Sequence, residues 1–405
     1  MHQQFEAIVV GGGILGWSTA YHLQTLGLQN IAVIDVTQPA NATTGAGAGF
    51  VGTWAAGFGP ASWGEEEFAI EEYSLAYYRA LGQRQAIQLR TNGNLFVART
   101  AHGYNTWIAP MLTHRLTPHG TQALSAGELV EMSHGALAQN EVYGAVYHPH
   151  GLQIHTTPTL NAMVHEATDA GVTRVIGELV TTVIVNDGRV TGVSTSTGTT
   201  YHAPRVVLAC GAWSNQLIGQ VSETLPLYRL VATRVISPSC DIPSSLPTLM
   251  IPEMGAWIRE HQGGLMWGTG DGYAPLHNLS TEAQPGTRPH HPELLHQLTR
   301  TVGESLQRLF PHADISVAEW TQGMPVYTVD RRFCAGAVPH VAGLWAVTGD
   351  NEAGVTHAPG LGRMMADLVV TGHAPWVNHH AFALDRFSQH YTNEPAVAAA
   401  MPPRR

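Results

Sequence analysis

The chain has 405 residues, more than one typical domain, and 44% of them are apolar, enough to bury a large core. Its formal net charge of −10 disfavours nucleic acid and anionic membranes as partners, because phosphate binding needs concentrated positive charge. All 20 basic residues are arginine, which excludes a Schiff-base lysine, pyridoxal-phosphate chemistry and a Walker-type phosphate loop.

Residues 5–35 predict a strand, a glycine turn, a helix and a second strand in direct succession. Gly11 permits the tight turn, Gly13 lets the backbone approach a pyrophosphate, and Gly16 lets the helix pack against the strand. The helix start offers free N–H groups to phosphates, and Asp35 can accept hydrogen bonds from ribose hydroxyls. The whole series in this order predicts dinucleotide binding.

Further along the chain, residues 41–52 (NATTGAGAGFVG) form a second small-residue loop that leaves room for a flat ligand. Residues 180–193 predict a β-hairpin that turns at Asp187-Gly188. Buried strands follow in 205–214 and 343–349, each ending at a small-residue turn. The segment 358–368 predicts a helix with Pro359 near its first turn.

This set of motifs resembles the D-amino acid oxidase superfamily, which includes glycine oxidase and monomeric sarcosine oxidase, over residues 6–390. The resemblance implies an α/β fold, which is α+β when the chain is considered as a whole. It has a Rossmann-type FAD-binding domain and a discontinuous substrate domain built on an antiparallel sheet. We expect the FAD-binding domain in residues 1–85, 150–220 and 335–390, the substrate domain in 86–149 and 221–334, and a flexible tail in 391–405.

The same resemblance assigns the residues that hold FAD. Along its adenosine, pyrophosphate and flavin parts, FAD is expected to contact Gly11, Gly13, Ile14, Leu15, Gly16, Asp35, Thr44, Gly45, Ala46, Gly49, Val180, Cys210, Gly211, Trp213, Gly349, Asn351, Gly354, Val355 and Thr356. A helix beginning near Pro359 would point its positive end at the flavin. Because the usual attachment places hold no His or Cys, the FAD is expected to be non-covalent. No metal is expected.

The substrate side departs from the family pattern. Met266 stands where sarcosine-oxidase relatives carry an oxygen-activating lysine, so oxidase activity must use another group, such as an arginine or a protonated histidine, or be slow. Met324 replaces an arginine that clamps a substrate carboxylate, and Thr356 replaces a carboxylate-binding lysine. These changes favour a larger or less acidic amine over a glycine-like substrate.

Candidate catalytic residues remain, each with a plainer structural alternative. Arg259, on a predicted strand, is the first candidate for binding a substrate carboxylate, and its alternative role is an ion pair at an interface. Weaker candidates for the same role are Tyr327, Arg331 and Arg332. His357 is a candidate base or a core histidine, and Glu352 a candidate partner for the substrate amine. The aromatic candidates for an apolar pocket wall are Trp54, Trp257 and Trp267. The alternative for each of them is packing in the core.

The sequence thus predicts FAD-dependent oxidation of an amine or amino acid. Hydride passes from the α C–H to flavin N5 and leaves an imine that hydrolyses. The electron acceptor is oxygen or another compound. The alternatives are an FAD-dependent hydroxy-acid dehydrogenase and an FAD-binding subunit of a hetero-oligomeric dehydrogenase. The oligomeric state stays open.

Three widely spaced cysteines, Cys210, Cys240 and Cys334, suggest reduced thiols and a cytoplasmic protein. No apolar run reaches the roughly 18 residues of a membrane-spanning helix, so no membrane association is expected.

Overall fold

A computed structural model of the chain describes residues 3–52, 64–279 and 283–401; Trp54 lies outside these ranges. The strands are β1 Gln3–Gln4, β2 Ala7–Val10, β3 Ile31–Asp35, β4 Phe50–Val51, β5 Asn94–Ala98, β6 Gln122–Ser125, β7 Gly144–His148, β8 Leu152–Gln153, β9 Thr173–Ile176, β10 Val180–Asn186, β11 Arg189–Thr195, β12 Thr200–His202, β13 Val206–Leu208, β14 Leu227–Ile236, β15 Thr248–Ile251, β16 Ala256–His261, β17 Gly264–Thr269, β18 Tyr273–Pro275, β19 Glu319–Gly323, β20 Val326–Thr328, β21 Cys334–Ala337 and β22 Leu344–Thr348. The α-helices are α1 Ile14–Thr25, α2 Thr43–Ala46, α3 Glu65–Arg84, α4 Ala101–Gly103, α5 Ala126–Met132, α6 Thr156–Asp169, α7 Ser214–Ile218, α8 Pro292–Leu309, α9 Gly354–Thr371 and α10 Glu394–Ala400.

A six-stranded sheet in the order β21-β22-β13-β2-β3-β9 forms the first layer. All its neighbours pair in parallel except β21, which runs antiparallel to β22. Strands β2, β13 and most of β22 are buried along their length, as expected when helices cover both faces of a parallel sheet. The predicted Rossmann-type fold is confirmed.

The predicted hairpin forms in a separate four-stranded sheet, β1-β12-β11-β10. Strands β10 and β11 are antiparallel and turn at Asp187 and Gly188, whose φ angles are 49° and 72°. Two consecutive positive φ angles define the type I′ turn that matches the twist of a hairpin.

A ten-stranded, mainly antiparallel sheet contains strands from residues 94–148 and 227–328, and only β5 and β15 pair in parallel. Its long central strand, β14, pairs with β17, β18, β19 and β20. The remaining sheets lie in segments that match the predicted FAD-binding domain. The domain boundaries themselves stay a prediction.

Helix α9 corrects the predicted helix start, because it begins at Gly354 and contains Pro359 in its interior. A proline there leaves the carbonyl four residues earlier without its helical donor. The structure supplies another: the Tyr78 hydroxyl donates to the Val355 carbonyl at 2.6 Å. The next N–H, of Gly360, donates to Ser74 Oγ at 3.0 Å. Helix α3 therefore makes the internal proline tolerable.

The tail is also more ordered than expected, since residues 394–400 form α10. The Asn393 side chain caps it by accepting from the Ala396 N–H at 2.9 Å. Val397 is 2% exposed, and Glu394 pairs with Arg229 of β14. These contacts of α10 were not expected from the sequence. Within the described ranges, no helix combines the length and apolarity that crossing a bilayer requires.

Candidate active site

A cavity open to solvent lies at the carboxyl ends of β2, β3 and β13 and reaches the ten-stranded sheet. Open α/β sheets bind their ligands in this position. The predicted cofactor residues that line it are Gly11, Gly13, Ile14, Leu15, Asp35, Thr44, Ala46, Val180, Cys210, Gly211, Trp213, Gly349, Gly354 and Val355. One cavity thus brings together residues from both halves of the chain.

Two glycines of the glycine turn, Gly11 and Gly16, leave no space for a side chain. Gly11 has φ 105°, and a Cβ there would lie 2.3 Å from the Ala209 carbonyl oxygen. A Cβ on Gly16 would lie 1.8 Å from the Gly11 carbonyl oxygen. Helix α1 starts at Ile14 with no side-chain N-cap, and Ile14 and Leu15 of its first turn line the cavity. A phosphate fits this place.

Asp35 ends β3 beside that helix start. Its carboxylate accepts hydrogen bonds from the Gly12 N–H and, at 2.8 Å, from the Thr37 N–H. Burial raises its pKa. The acid is therefore fixed in orientation at the cavity wall, where it can meet the ribose of a dinucleotide.

The second small-residue loop closes the cavity from the other side. Thr44 Oγ1 accepts from the Ile14 N–H at 3.1 Å, which ties α2 to the start of α1. Thr43 Oγ1 accepts from the Met324 N–H at 3.0 Å and so ties α2 to the substrate sheet. Two adjacent threonines thus tie α2 to both the dinucleotide-binding sheet side and the substrate sheet side of the cavity.

Five predicted cofactor residues do not line the cavity, namely Gly16, Gly45, Gly49, Asn351 and Thr356. Their contacts shape the loops that do. Gly45 and Gly49 pass so close to neighbouring carbonyls that a Cβ would lie 2.0 and 2.1 Å away. Asn351 Nδ2 donates to the Gly349 carbonyl at 2.6 Å, and Thr356 Oγ1 donates to the Phe50 carbonyl at 3.2 Å.

The end of the cavity against the ten-stranded sheet is largely apolar. It is lined by Phe50, Met250, Trp257, Tyr273 and Met324. The rings of Phe50 and Trp257 lie 5.5 Å apart. Trp257 therefore forms part of the expected apolar wall, whereas Trp267 is 1% exposed and packs in the core.

Two carboxylates of the loop between β22 and α9 line the same cavity. Glu352 lines the cavity as predicted, and one of its oxygens accepts from the Tyr327 hydroxyl. Tyr327 itself is 3% exposed and stands behind Glu352. The sequence reasoning missed Asp350, although two acids spaced two apart after a buried strand were a visible signal. Asp350 lines the cavity, and burial raises its pKa to about 7.

The backbone that carries these acids is strained. Asn351 and Glu352 have φ angles of 47° and 70°, in the left-handed region that non-glycine residues rarely adopt. Such conformations cost about 1–3 kcal/mol each and cluster at functional sites. Asp350 Oδ1 holds the loop by accepting from the Val326 N–H at 2.8 Å.

Arg259 corrects an expectation: its side chain does not line the main cavity. It is 1% exposed, and Nη1 donates to the carbonyls of Ala48, Gly49 and Ile154 at 2.8–3.1 Å. Because Arg259 holds the small-residue loop from behind, it cannot clamp a substrate carboxylate in that cavity.

His357 is also misplaced for a catalytic base. It is fully buried in α9, where Nδ1 contacts the Ala353 carbonyl at 3.0 Å and Nε2 lies 3.3 Å from Glu71 Oε1. Of the weaker arginine candidates, Arg332 is engaged by Glu66 and Glu67, and Arg331 lies 6.0 Å from the Tyr327 ring. None of these side chains lines the cavity.

Arg234 of β14 was not anticipated. It lines the cavity, and Nη1 donates to the Gly47 carbonyl at 2.6 Å. Burial lowers its pKa to about 10, so it stays cationic near neutral pH. Strand β14 shows no sequence motif around it, and only the sheet register brings it here.

Comparisons with known proteins agree with this geometry. The family model described as FAD dependent oxidoreductase matches residues 6–368. The chain is 26% identical to 4-methylaminobutanoate oxidase (formaldehyde-forming) of Paenarthrobacter nicotinovorans, over 96% of this chain and 46% of that protein. It is also 26% identical to the mouse mitochondrial pyruvate dehydrogenase phosphatase regulatory subunit, over 95% of this chain and 43% of that protein.

The chain thus spans less than half the length of these two relatives. Among solved structures, glycine oxidase from Geobacillus kaustophilus matches with a TM-score of 0.81 and 22% identity, covering 95% of this chain and 99% of the other. This likeness establishes the fold.

Proposed function

Because the chain belongs to the family of FAD-dependent oxidoreductases, we propose that it oxidises an amine or amino acid at the carbon that bears the nitrogen. The observation that carries this proposal is the pair of carboxylates, Asp350 and Glu352, in a cavity that apolar and aromatic side chains also line. Carboxylates in an apolar surrounding bind and deprotonate a substrate ammonium group.

The residues present fit FAD. The uncapped start of α1 suits the pyrophosphate, Asp35 suits the ribose, and the turn from Cys210 to Trp213 lies opposite the small-residue loop. The start of α9 brings a second helix N-terminus to the cavity at Gly354 and Val355. We propose that the FAD is non-covalent.

Bound FAD would supply the acceptor for a hydride from the substrate carbon, and water would hydrolyse the resulting imine. The chain's own task is to present a neutral amine. Asp350, with a pKa of about 7, suits the acceptance of the ammonium proton near neutral pH. Glu352, held by the Tyr327 hydroxyl, directs the nitrogen, and the aromatic wall excludes water.

The cavity favours an amine over a simple amino acid. Among the described residues that line it, Arg234 is the one cationic side chain, and the Gly47 carbonyl already engages one of its nitrogens. Met324 offers no charge for a substrate carboxylate. We infer a substrate with apolar bulk beside its amine. The acceptor is oxygen or another compound, and the cytoplasm is the proposed location.

Steady-state turnover tests this assignment. Purified protein saturated with FAD is given N-methyl amines, primary amines, amino acids and α-hydroxy acids, and carbonyl product is measured. Turnover of amines that falls at least about tenfold in Glu352→Gln, with KM carrying most of the loss, is expected. Turnover of hydroxy acids alone would contradict the proposal.

A second candidate is a subunit that binds FAD without turning over a substrate by itself. The similarity to a relative whose name is that of a regulatory subunit favours it. Tight FAD binding with no turnover of any compound in the panel would support this candidate.

A further inference from the structure

A second, smaller cavity is lined by residues of the small-residue loop as well as by residues of β14, β16, β17 and α6. We call it the cationic pocket. It is lined by His155, Arg234, Arg259, His261, Met266 and the first turn of α6. It borders the main cavity, because Gly47, Ala48 and Arg234 line both.

Neither arginine of this pocket forms an ion pair among the described residues, although the charge of Glu319 on the neighbouring strand β19 acts on Arg234. Arg259 donates only to backbone carbonyls, and Arg234 Nε is buried with no hydrogen-bond partner in the described part of the chain. The nearest acid in sequence, Glu260, points to the other face of β16 and pairs with Arg90. Burial, then the charges of Arg90 and Arg234, lower the pKa of Arg259 to about 9.

Two histidines add hydrogen-bond donors to the same pocket. The rings of His155 and His261 stack with centroids 4.7 Å apart, and His261 Nδ1 is buried without a partner among the described residues. Burial and the neighbouring arginines lower both pKa values, so near pH 7 each ring is neutral with one N–H.

Helix α6 starts at this pocket. It is 14 residues long, its N-cap is His155, and no side chain caps its first N–H groups. Thr156, Thr157 and Pro158 of the first turn line the pocket. The helix dipole therefore adds partial positive charge to that of the two arginines.

We propose that the cationic pocket binds a small oxyanion, either a carboxylate such as formate or a tetrahedral inorganic anion. A guanidinium fork and free helix N–H groups both suit oxygen ligands. An anion would also relieve the repulsion between the arginines. The pocket adjoins the FAD and amine cavity and shares Arg234 with it, but the proposal rests on the pocket's own residues and not on the proposed function.

Thr157 provides the test. It is exposed, lines the pocket and sits in the first helical turn, where a carboxylate is compatible with the helix. Thr157→Glu supplies a built-in competitor for the anion, and Thr157→Gln is the neutral control of the same size. Arg300→Gln, at an exposed position of α8, controls for the loss of a positive charge elsewhere.

Binding of sodium formate and sodium sulfate is measured separately by calorimetry, on protein saturated with FAD so that the pyrophosphate site is filled. We expect Thr157→Glu to weaken binding at least about tenfold, and Thr157→Gln and Arg300→Gln to stay within about threefold of wild type. A response to only one salt identifies the oxyanion. No binding of either salt, or equal affinities in Thr157→Glu and Thr157→Gln, would overturn the proposal.

Discussion

Replacing Asp350 by asparagine should raise the stability of the protein above pH 7 while it lowers activity. Burial raises the pKa of this carboxyl from 3.8 to about 7. The stability that its protonated form contributes is fully present below pH 3.8 and is lost as the pH rises through about 7. At 1.36 kcal/mol per pH unit, this loss amounts to roughly 4 kcal/mol. Asparagine cannot ionise, and its Oδ1 can still accept from the Val326 N–H.

The assay is urea denaturation of the apoprotein at pH 5 and pH 8. The free energy of unfolding of Asp350→Asn should exceed that of wild type by up to roughly 4 kcal/mol at pH 8, and by less at pH 5. Asp385→Asn, at an exposed position, is the control and should stay within about 0.5 kcal/mol of wild type. A mutant less stable than wild type at pH 8, or an equal gain at both pH values, would refute the reasoning.

The activity of the same mutant should move the other way. Removal of a proton acceptor costs about 10²–10⁴ in rate, so kcat/KM of the FAD-saturated enzyme should fall within that range at neutral pH. Its pH profile should also lose the rise near pH 7. An unchanged profile would show that Asp350 does not accept the substrate proton.

Three further changes test other parts of the account. Gly16→Ala should abolish FAD retention, because its Cβ would meet a carbonyl oxygen at 1.8 Å; FAD retention is measured by absorbance after gel filtration. The control Gly303→Ala, at a glycine with open space around it, should bind FAD normally. Tyr78→Phe should lower the free energy of unfolding by about 1–3 kcal/mol, because the carbonyl freed by the helix proline loses its donor. The exposed Tyr143→Phe should change it by less than about 0.5 kcal/mol, and equal effects of the two would refute that role. Glu352→Gln should raise the KM for the amine more than it lowers kcat, and a loss confined to kcat would contradict its role in binding.

Local sequence signals were sufficient for the dinucleotide fold. The glycine turn, the hairpin at Asp187-Gly188 and the buried strands each depend on residues close in sequence, and all form as expected. The order of strands in the six-stranded sheet then places Gly11 and Gly349 at one cavity. These elements could be predicted because each is formed by contacts between residues close in sequence.

The expectations that differ from the structure depend on contacts between residues far apart in the sequence. Pro359 lies inside a helix only because Tyr78, far away in sequence, supplies the missing donor. Arg259 faces backbone carbonyls of another segment, and no local pattern reveals on which side of the sheet they lie. Arg234 reaches the cavity through the register of β14. Asp350 was the one omission that the sequence itself could have prevented.

The most direct test of the central claim is anaerobic mixing of the FAD-saturated protein with an amine while absorbance is followed near ~450 nm, the flavin band. The account predicts that the band bleaches with amines that carry apolar bulk and does not bleach with α-hydroxy acids. Recovery in air would identify an oxidase, and recovery only with an added acceptor a dehydrogenase. A band that hydroxy acids alone bleach, or a protein that binds no FAD, would contradict the account.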